Sequence, residues 1–287
     1  ADIVSGRAMF IDDTKEPGML YGKVLRSPYP HAYIKGINTC KAEAYPGVKA
    51  VLTHRNVSDW KIGMPPHLNV LDKKVRFVGD AVALIAARTG EIAEEALQLI
   101  EVEYEQLPAV YDVEEATRPD APQLYTQFPS NLIPNRIPVF GPKTLHEIIF
   151  GDVKKGFMEA EFTGEGTYAY ENIPNPLPIE PPGVIAKWEG PKKLTIWTAT
   201  QGVSMPRAAM LPMLGFPEIR SIGLHCGGSY GSKNYSAQPI LYATALAKAT
   251  NKPVKIYYSK EEHLGAFVLR LGSRFRGKVG LKKDGTI

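Results

Sequence analysis

Between Ala81 and Ala87 the sequence AVALIAA is apolar without interruption, which predicts a strand buried on both faces. TGEIAEEALQLI follows. Thr89 is placed to cap a helix, and Ile92, Ala96 and Leu99 fall on one helical face. Glu101 to Glu105 then alternates, with Val102 and Tyr104 on one side. Glu101, Glu103 and Glu105 line the other, a solvated face rather than an acid–base pair. Strand, helix and strand in this order predict a β-α-β unit, right-handed if its strands share one sheet. Upstream, MLYGKVLRSP and GVKAVLTH predict two more strands, so a mixed α/β domain is expected over residues 1–117.

The pattern then lapses. Residues 118–149 are rich in proline and lack periodicity, as expected of an interdomain linker running over a surface. A second domain is expected over 150–287. Val153–Ala160 predicts a short helix and Phe162–Tyr170 a strand. The prolines between Asn172 and Pro182 forbid a helix or a central strand and suit a stiff, extended segment pressed against something. KLTIWTAT reads as a strand, Ser204-Met205-Pro206 as a helix start interrupted at Pro212, and EIRSIGLHC as a further strand. YSAQPILYATALAKAT predicts a helix that Asn251 closes, and KPVKIYYS a strand. The last residues, GKVGLKKDGTI, read as a strand, a turn and the beginning of a partner strand.

Composition changes little in this picture. The 287 residues are 44% hydrophobic and 22% charged with a formal net charge of +4, ordinary for a globular protein. The 34 basic and 30 acidic residues are interleaved, which argues against a nucleic-acid stripe. No apolar run has the length of a membrane span, and the first residues do not have the pattern of a secretory signal. Cys40 and Cys226 make neither a zinc site nor a disulfide framework. Both are expected as small buried side chains, and a reducing, cytoplasmic setting follows. The six histidines are scattered without metal-ligand spacing.

The densest candidate chemistry is HCGGSYGSKN, His225–Asn234, between a strand and a helix. It is neither a P-loop nor a dinucleotide fingerprint. Glycine permits close backbone approach, and free N–H groups ahead of a helix suit anionic oxygen. A tight turn that packs a strand on a helix explains the composition equally well. Gln201 ends another predicted strand. If the two strands are neighbours, Gln201 and Tyr230-Gly231 face one site, with amide and backbone donors suited to an oxo group.

With these segments in hand, the chain resembles the large subunit of the molybdenum hydroxylases, the xanthine oxidase and aldehyde oxidoreductase family. SGRAMFIDD, LYGKVLRSPYPHAYIKGINTC, VRFVGDAVALIAARTGEIAEEALQLIEVEYEQL and GDVKKGFMEAEF are similar to its hammerhead domain and the start of the next. LPIEPPGVIA, TATQG, GGSYGSK and NKPVKIYYSKEEHL are similar to the first half of its molybdopterin-binding domain. The resemblance implies a hammerhead α/β domain followed by an incomplete cofactor domain, mixed α/β (α+β) throughout. It implies a molybdenum held by a pterin dithiolene, so no metal ligand from this chain.

By the same resemblance, Gln201 would hydrogen-bond a molybdenum oxo ligand. Gly228, Ser229, Tyr230 and Gly231 would approach the metal's ligands, and Asn234 stands where purine-oxidising members carry a substrate-orienting glutamate. The implied reaction places a water-derived hydroxyl on an aldehyde or aromatic carbon, and electrons leave through iron–sulfur clusters to a flavin (FAD) or another acceptor. The glutamate general base lies beyond these residues in the family, so no catalytic residue is expected in this chain. A partner chain is expected to complete the cofactor domain, with iron–sulfur and FAD subunits beside it. The unfinished hairpin fits either a fragment or a naturally split subunit. A purine or nicotinate-type heterocycle dehydrogenase and a cofactor-free assembly subunit are the alternatives.

Overall fold

The computed structural model describes residues 1–62, 68–132, 150–170, 175–204, 206–207, 210, 214–215, 218–233, 237–266 and 272–287. Two compact units emerge from packing: residues 1–109 with 176–269, and residues 110–175 with 270–287. Each is therefore built from two separated stretches of chain.

The first unit is organised on a seven-stranded sheet. Its strands run in the order Glu218–Gly223, Lys193–Thr198, Gly183–Trp188, Val254–Tyr257, Leu20–Arg26, Ala81–Ala87 and Val48–Thr53. The join between its two halves is the parallel pairing of Leu20–Arg26 with Val254–Tyr257, Leu20 opposite Val254. Strands from both ends of the sequence thus share one sheet and one core.

Ala81–Ala87 shows why the apolar run is continuous. All seven residues are buried. Leu84 and Ala86 join the core under the helix Ala237–Thr250, whereas Ala83, Ile85 and Ala87 join a second core on the opposite face. A strand alternates its side chains across the sheet, so a strand covered on both faces has no polar position. The second core is closed by the helix Gly90–Leu97, through Ala93, Ala96 and Leu97. Thr89 caps that helix as expected, accepting from the Ile92 N–H at 3.3 Å. Ile92 and Leu99 pack at its margin, so the buried face is centred one residue from the predicted one.

The β-α-β expectation needs correction. Glu101–Gln106 does not return to the sheet of Ala81–Ala87. It pairs with Ala32–Asn38 in a separate three-stranded sheet with Lys74–Val75. Ile34 and Ile37 of that sheet join the second core together with Val82 and Ile85, and Val102 packs against it. Glu101, Glu103 and Glu105 remain on the exposed face.

Helix Ala237–Thr250 lies over the large sheet closely enough to fix one residue beneath it. A Cβ at Gly22 would stand 2.7 Å from Ile256 Cγ1 and 2.9 Å from Leu246 Cδ1. Overfilling a packed core costs about 1–3 kcal/mol, so Gly22→Ala should lower the urea midpoint correspondingly while leaving the unfolding slope unchanged. Asn251 ends the helix with φ +50°, in the left-handed conformation of a helix terminator.

In the second unit, Phe162–Tyr170 pairs antiparallel with Ser273–Leu281 over nine residues. The helix Val153–Glu159, capped by Asp152 through the Lys155 N–H at 3.0 Å, precedes the ribbon. The described part of the proline-rich stretch is not featureless. Asn131 donates to the carbonyls of Ala116 and Pro122 at 2.8 and 3.1 Å and accepts from Leu124 N–H at 2.8 Å. The rest of the expected linker, residues 133–149, lies outside the described residues, as do Met205 and Pro212 of the predicted helix. The final turn forms: Lys282 N–H donates to Thr286 O at 2.8 Å and Gly285 N–H to Lys282 O at 3.0 Å. Among the described residues no helix is long and apolar enough to cross a membrane.

Candidate functional site

The site is assembled by strand direction. Lys193–Thr198 and Glu218–Gly223 are parallel neighbours, with Thr198 opposite Gly223. The condition on which a common site depended is therefore met: both chains leave the sheet at the same end. Gly183–Trp188 runs antiparallel to Lys193–Thr198 and begins there, Val184 opposite Thr198. Carboxyl ends of α/β strands are where such sheets hold ligands.

Gln201 and the glycine loop meet. The Ser229 hydroxyl donates to Gln201 Oε1, and the Gln201 N–H donates to Lys233 O at 3.3 Å. Thr200 Oγ1 donates to the same carbonyl at 3.0 Å. Lys233 N–H donates to Ser229 Oγ at 2.9 Å, and Ser232 Oγ to Ser229 O at 2.8 Å. With its oxygen engaged by Ser229, the exposed Gln201 amide has its NH2 end to offer as a donor.

The loop backbone is held in conformations that turn its peptides. Gly228, Tyr230 and Gly231 have φ of +97°, +52° and +96°. Tyr230 is exposed and its ring lies against Gly228. Among the described residues the N–H groups of Gly228 and Gly231 make no hydrogen bond. Asn234 lies outside the described residues.

Two of the glycines are small for a reason the sequence did not reveal. A Cβ at Gly227 would lie 2.6 Å from Glu180 Cβ, and one at Gly228 3.0 Å from Pro178 Cβ. The proline-rich segment is pressed against this loop. Lys260 Nζ donates to the carbonyls of Pro178 and Ile179, and Tyr258 N–H to Pro182 O at 3.0 Å, which secures the segment from behind.

Glu180 and Lys233 are the residues that sequence reasoning missed. They lie 53 positions apart and form an ion pair at 2.7 Å, Lys233 fully buried and Glu180 8% exposed. The same carboxylate oxygen accepts the Gly227 N–H at 2.8 Å. Glu180 Oε1 is buried without a hydrogen-bond partner among the described residues. One signal was available: a lone carboxylate among prolines and a lysine among glycines and serines, neither on an amphipathic face. Charges so placed call for a partner.

Nearby titratable groups are held neutral. Burial pushes the Cys226 thiol upward, with Lys233 opposing in part. Burial, with Lys260 and Lys233, lowers His263 to about 4. Cys226 is half-buried, but Cys40 is exposed, so the expectation of a buried side chain fails there. Cys40 opens a four-residue helix whose sole buried residue is Ala42.

A sheet whose strand ends carry a glycine loop, an oriented amide and a buried ion pair defines a cofactor-binding α/β protein. Residues 5–108 match the aldehyde oxidase and xanthine dehydrogenase a/b hammerhead domain, and residues 138–287 the molybdopterin cofactor-binding domain. A probable xanthine dehydrogenase subunit of Bacillus subtilis is 36% identical over 99% of this chain and 37% of its own length. A nicotinate dehydrogenase large molybdopterin subunit of Eubacterium barkeri is 31% identical over 99% of this chain and 65% of its own. A solved CO dehydrogenase from Oligotropha carboxidovorans superposes with a TM-score of 0.77 at 29% identity, over 99% of this chain and 37% of that one. The chain thus spans between about a third and two thirds of the length of the proteins it matches. It belongs to the molybdenum hydroxylase family, and the expected mixed α/β fold, hammerhead and cofactor-binding domain together, is borne out.

The residues present suit such a cofactor. Bare backbone donors at Gly228 and Gly231 and the NH2 of Gln201 match an anionic, oxygen-rich group. Lys233, beneath them, is paired with Glu180. Among the described residues no three His, Cys, Asp or Glu side chains converge on a metal position.

Proposed function

We propose that this chain forms one wall of the molybdenum-cofactor site of a hydroxylase that oxidises an aldehyde or aromatic carbon with water as the oxygen source. The observation that carries the reading is the Ser229–Gln201 hydrogen bond, which ties the amide to the glycine loop at the strand ends. Gln201, Gly228, Ser229, Tyr230 and Gly231 would hold the cofactor, and Asn234 would face the substrate. When bound, the cofactor supplies the two-electron chemistry. Gln201 directs its NH2 donors outward because Ser229 fixes its oxygen. Gly228 and Gly231 present N–H groups already turned by their positive φ, which spares reorganisation when negative charge develops beside them.

The general base, the iron–sulfur clusters and an FAD or other electron acceptor belong to the rest of the assembly. The two cysteines of these 287 residues are too few for a four-thiolate cluster. By domain, residues 1–117 would form the hammerhead, 118–149 the connection and 150–287 the first half of the cofactor domain, which a partner chain completes.

A heterocycle-oxidising activity is the second reading, favoured by the xanthine and nicotinate dehydrogenase names of the relatives. Molybdenum and pterin analysis of the purified assembly, with a panel of aldehydes, purines and nicotinate, tests both. About one molybdenum per chain with aldehyde turnover is expected. Turnover of purines or nicotinate alone selects the second reading. Absence of molybdenum from an active, intact assembly returns the chain to a scaffold.

A further inference from the structure

Both ends of the glycine loop are tied to one carboxylate. Glu180 Oε2 takes the Gly227 N–H at 2.8 Å where the loop begins and Lys233 Nζ at 2.7 Å where it ends. The Glu180 N–H donates to Gly227 O at 3.2 Å, so the entry is clamped twice. From Lys233 the connections lead directly to the surface. Its N–H holds Ser229 Oγ, its carbonyl holds the Gln201 N–H, and Ser229 holds the Gln201 amide oxygen.

We infer that Glu180 and Lys233 are a positioning pair that sets the peptide orientations of the loop and the rotamer of Gln201, an inference that rests on reading these groups as a cofactor wall. Stability alone does not account for the charges. A buried ion pair is commonly matched or surpassed by apolar residues of the same volume, because desolvation offsets the attraction. Apolar side chains could fill the space, yet they offer no acceptor to Gly227 and no fixed end point for the loop. The unpartnered Glu180 Oε1 fits this view, since the carboxylate is held through one oxygen only.

The test uses the assembled holoenzyme carrying Glu180→Met/Lys233→Met, which removes both charges at similar volume, and separately Glu180→Gln, which keeps shape and one acceptor. Three quantities are measured: melting temperature, pterin and molybdenum per chain, and deuterium exchange of the peptide spanning Gly227–Lys233. The double variant should melt within a few degrees of wild type, lose at least tenfold in bound pterin, and exchange at least tenfold faster in the loop. Glu180→Gln keeps an acceptor for the Gly227 N–H but leaves the Lys233 charge unanswered, so it should lose pterin to a smaller extent than the double variant. A full pterin complement with wild-type loop exchange in the double variant overturns the proposal. So does failure of both variants to fold, since the charges would then serve the fold itself. Wild-type enzyme without pterin would refute the site reading instead, and loop exchange would still report whether the pair orders the loop.

Discussion

Replacing Lys233 alone with methionine should destabilise the protein by about 3–5 kcal/mol, the cost of stranding a buried charge. The carboxylate left behind is 8% exposed and, among the described residues, would retain a single donor, the Gly227 N–H. Lost packing is a minor part, because methionine nearly fills the volume of the lysine stem. The comparison that isolates the charge is the double replacement with Glu180→Met, which removes the stranded carboxylate and should recover most of the loss. Urea unfolding of wild type, single and double variants gives the coupling directly. Equal stability of the single variant and wild type would mean that water reaches Glu180 and that the pair is not dry.

Much of the sheet was legible because burial leaves a local record. Ala81–Ala87 is apolar throughout since both its faces are covered, and Lys193–Thr198 and Val254–Tyr257 stand out by their β-branched and aromatic residues, although Thr195 and Lys255 are buried on the second face as well. Sheet membership leaves no such record. The alternation of Glu101–Gln106 states that one face is wet, and it does so equally in either sheet, so the pattern could not choose Ala32–Asn38 over Ala81–Ala87 as partner. The pairing of Leu20 with Val254 joins residues that no local period connects. The site divides in the same way. Gln201 and the loop could be found because each follows a strand and because glycine, serine and amide side chains advertise hydrogen bonding. Glu180 left only the signal of an unmatched carboxylate, because prolines erase the periodicity that would have shown on which side it lies. The small size of Gly227 and Gly228 read as room for a ligand, whereas Glu180 and Pro178 occupy that side of the backbone.

The largest effect on activity is expected at Gln201. Gln201→Ala in the assembled enzyme should lower kcat by about 10²–10³-fold, the range for removing one preorganised donor from a site where charge develops. Stability should change by no more than about 1 kcal/mol, because the side chain is exposed and its main interaction is the hydrogen bond from Ser229. Ser229→Ala releases the amide oxygen, so the NH2 is free to turn away, and it also removes the acceptor of the Lys233 N–H; a smaller fall of about tenfold is expected. If Ser229 acts through Gln201, the double variant should be no slower than Gln201→Ala by itself, because residues that act as one unit are not additive. Multiplicative losses would assign Ser229 a role apart from Gln201, through the Lys233 N–H that it holds or through the bound group itself. An undiminished kcat in Gln201→Ala, with pterin retained, would remove the amide from the reacting centre and leave the glycine loop as the wall that this chain contributes.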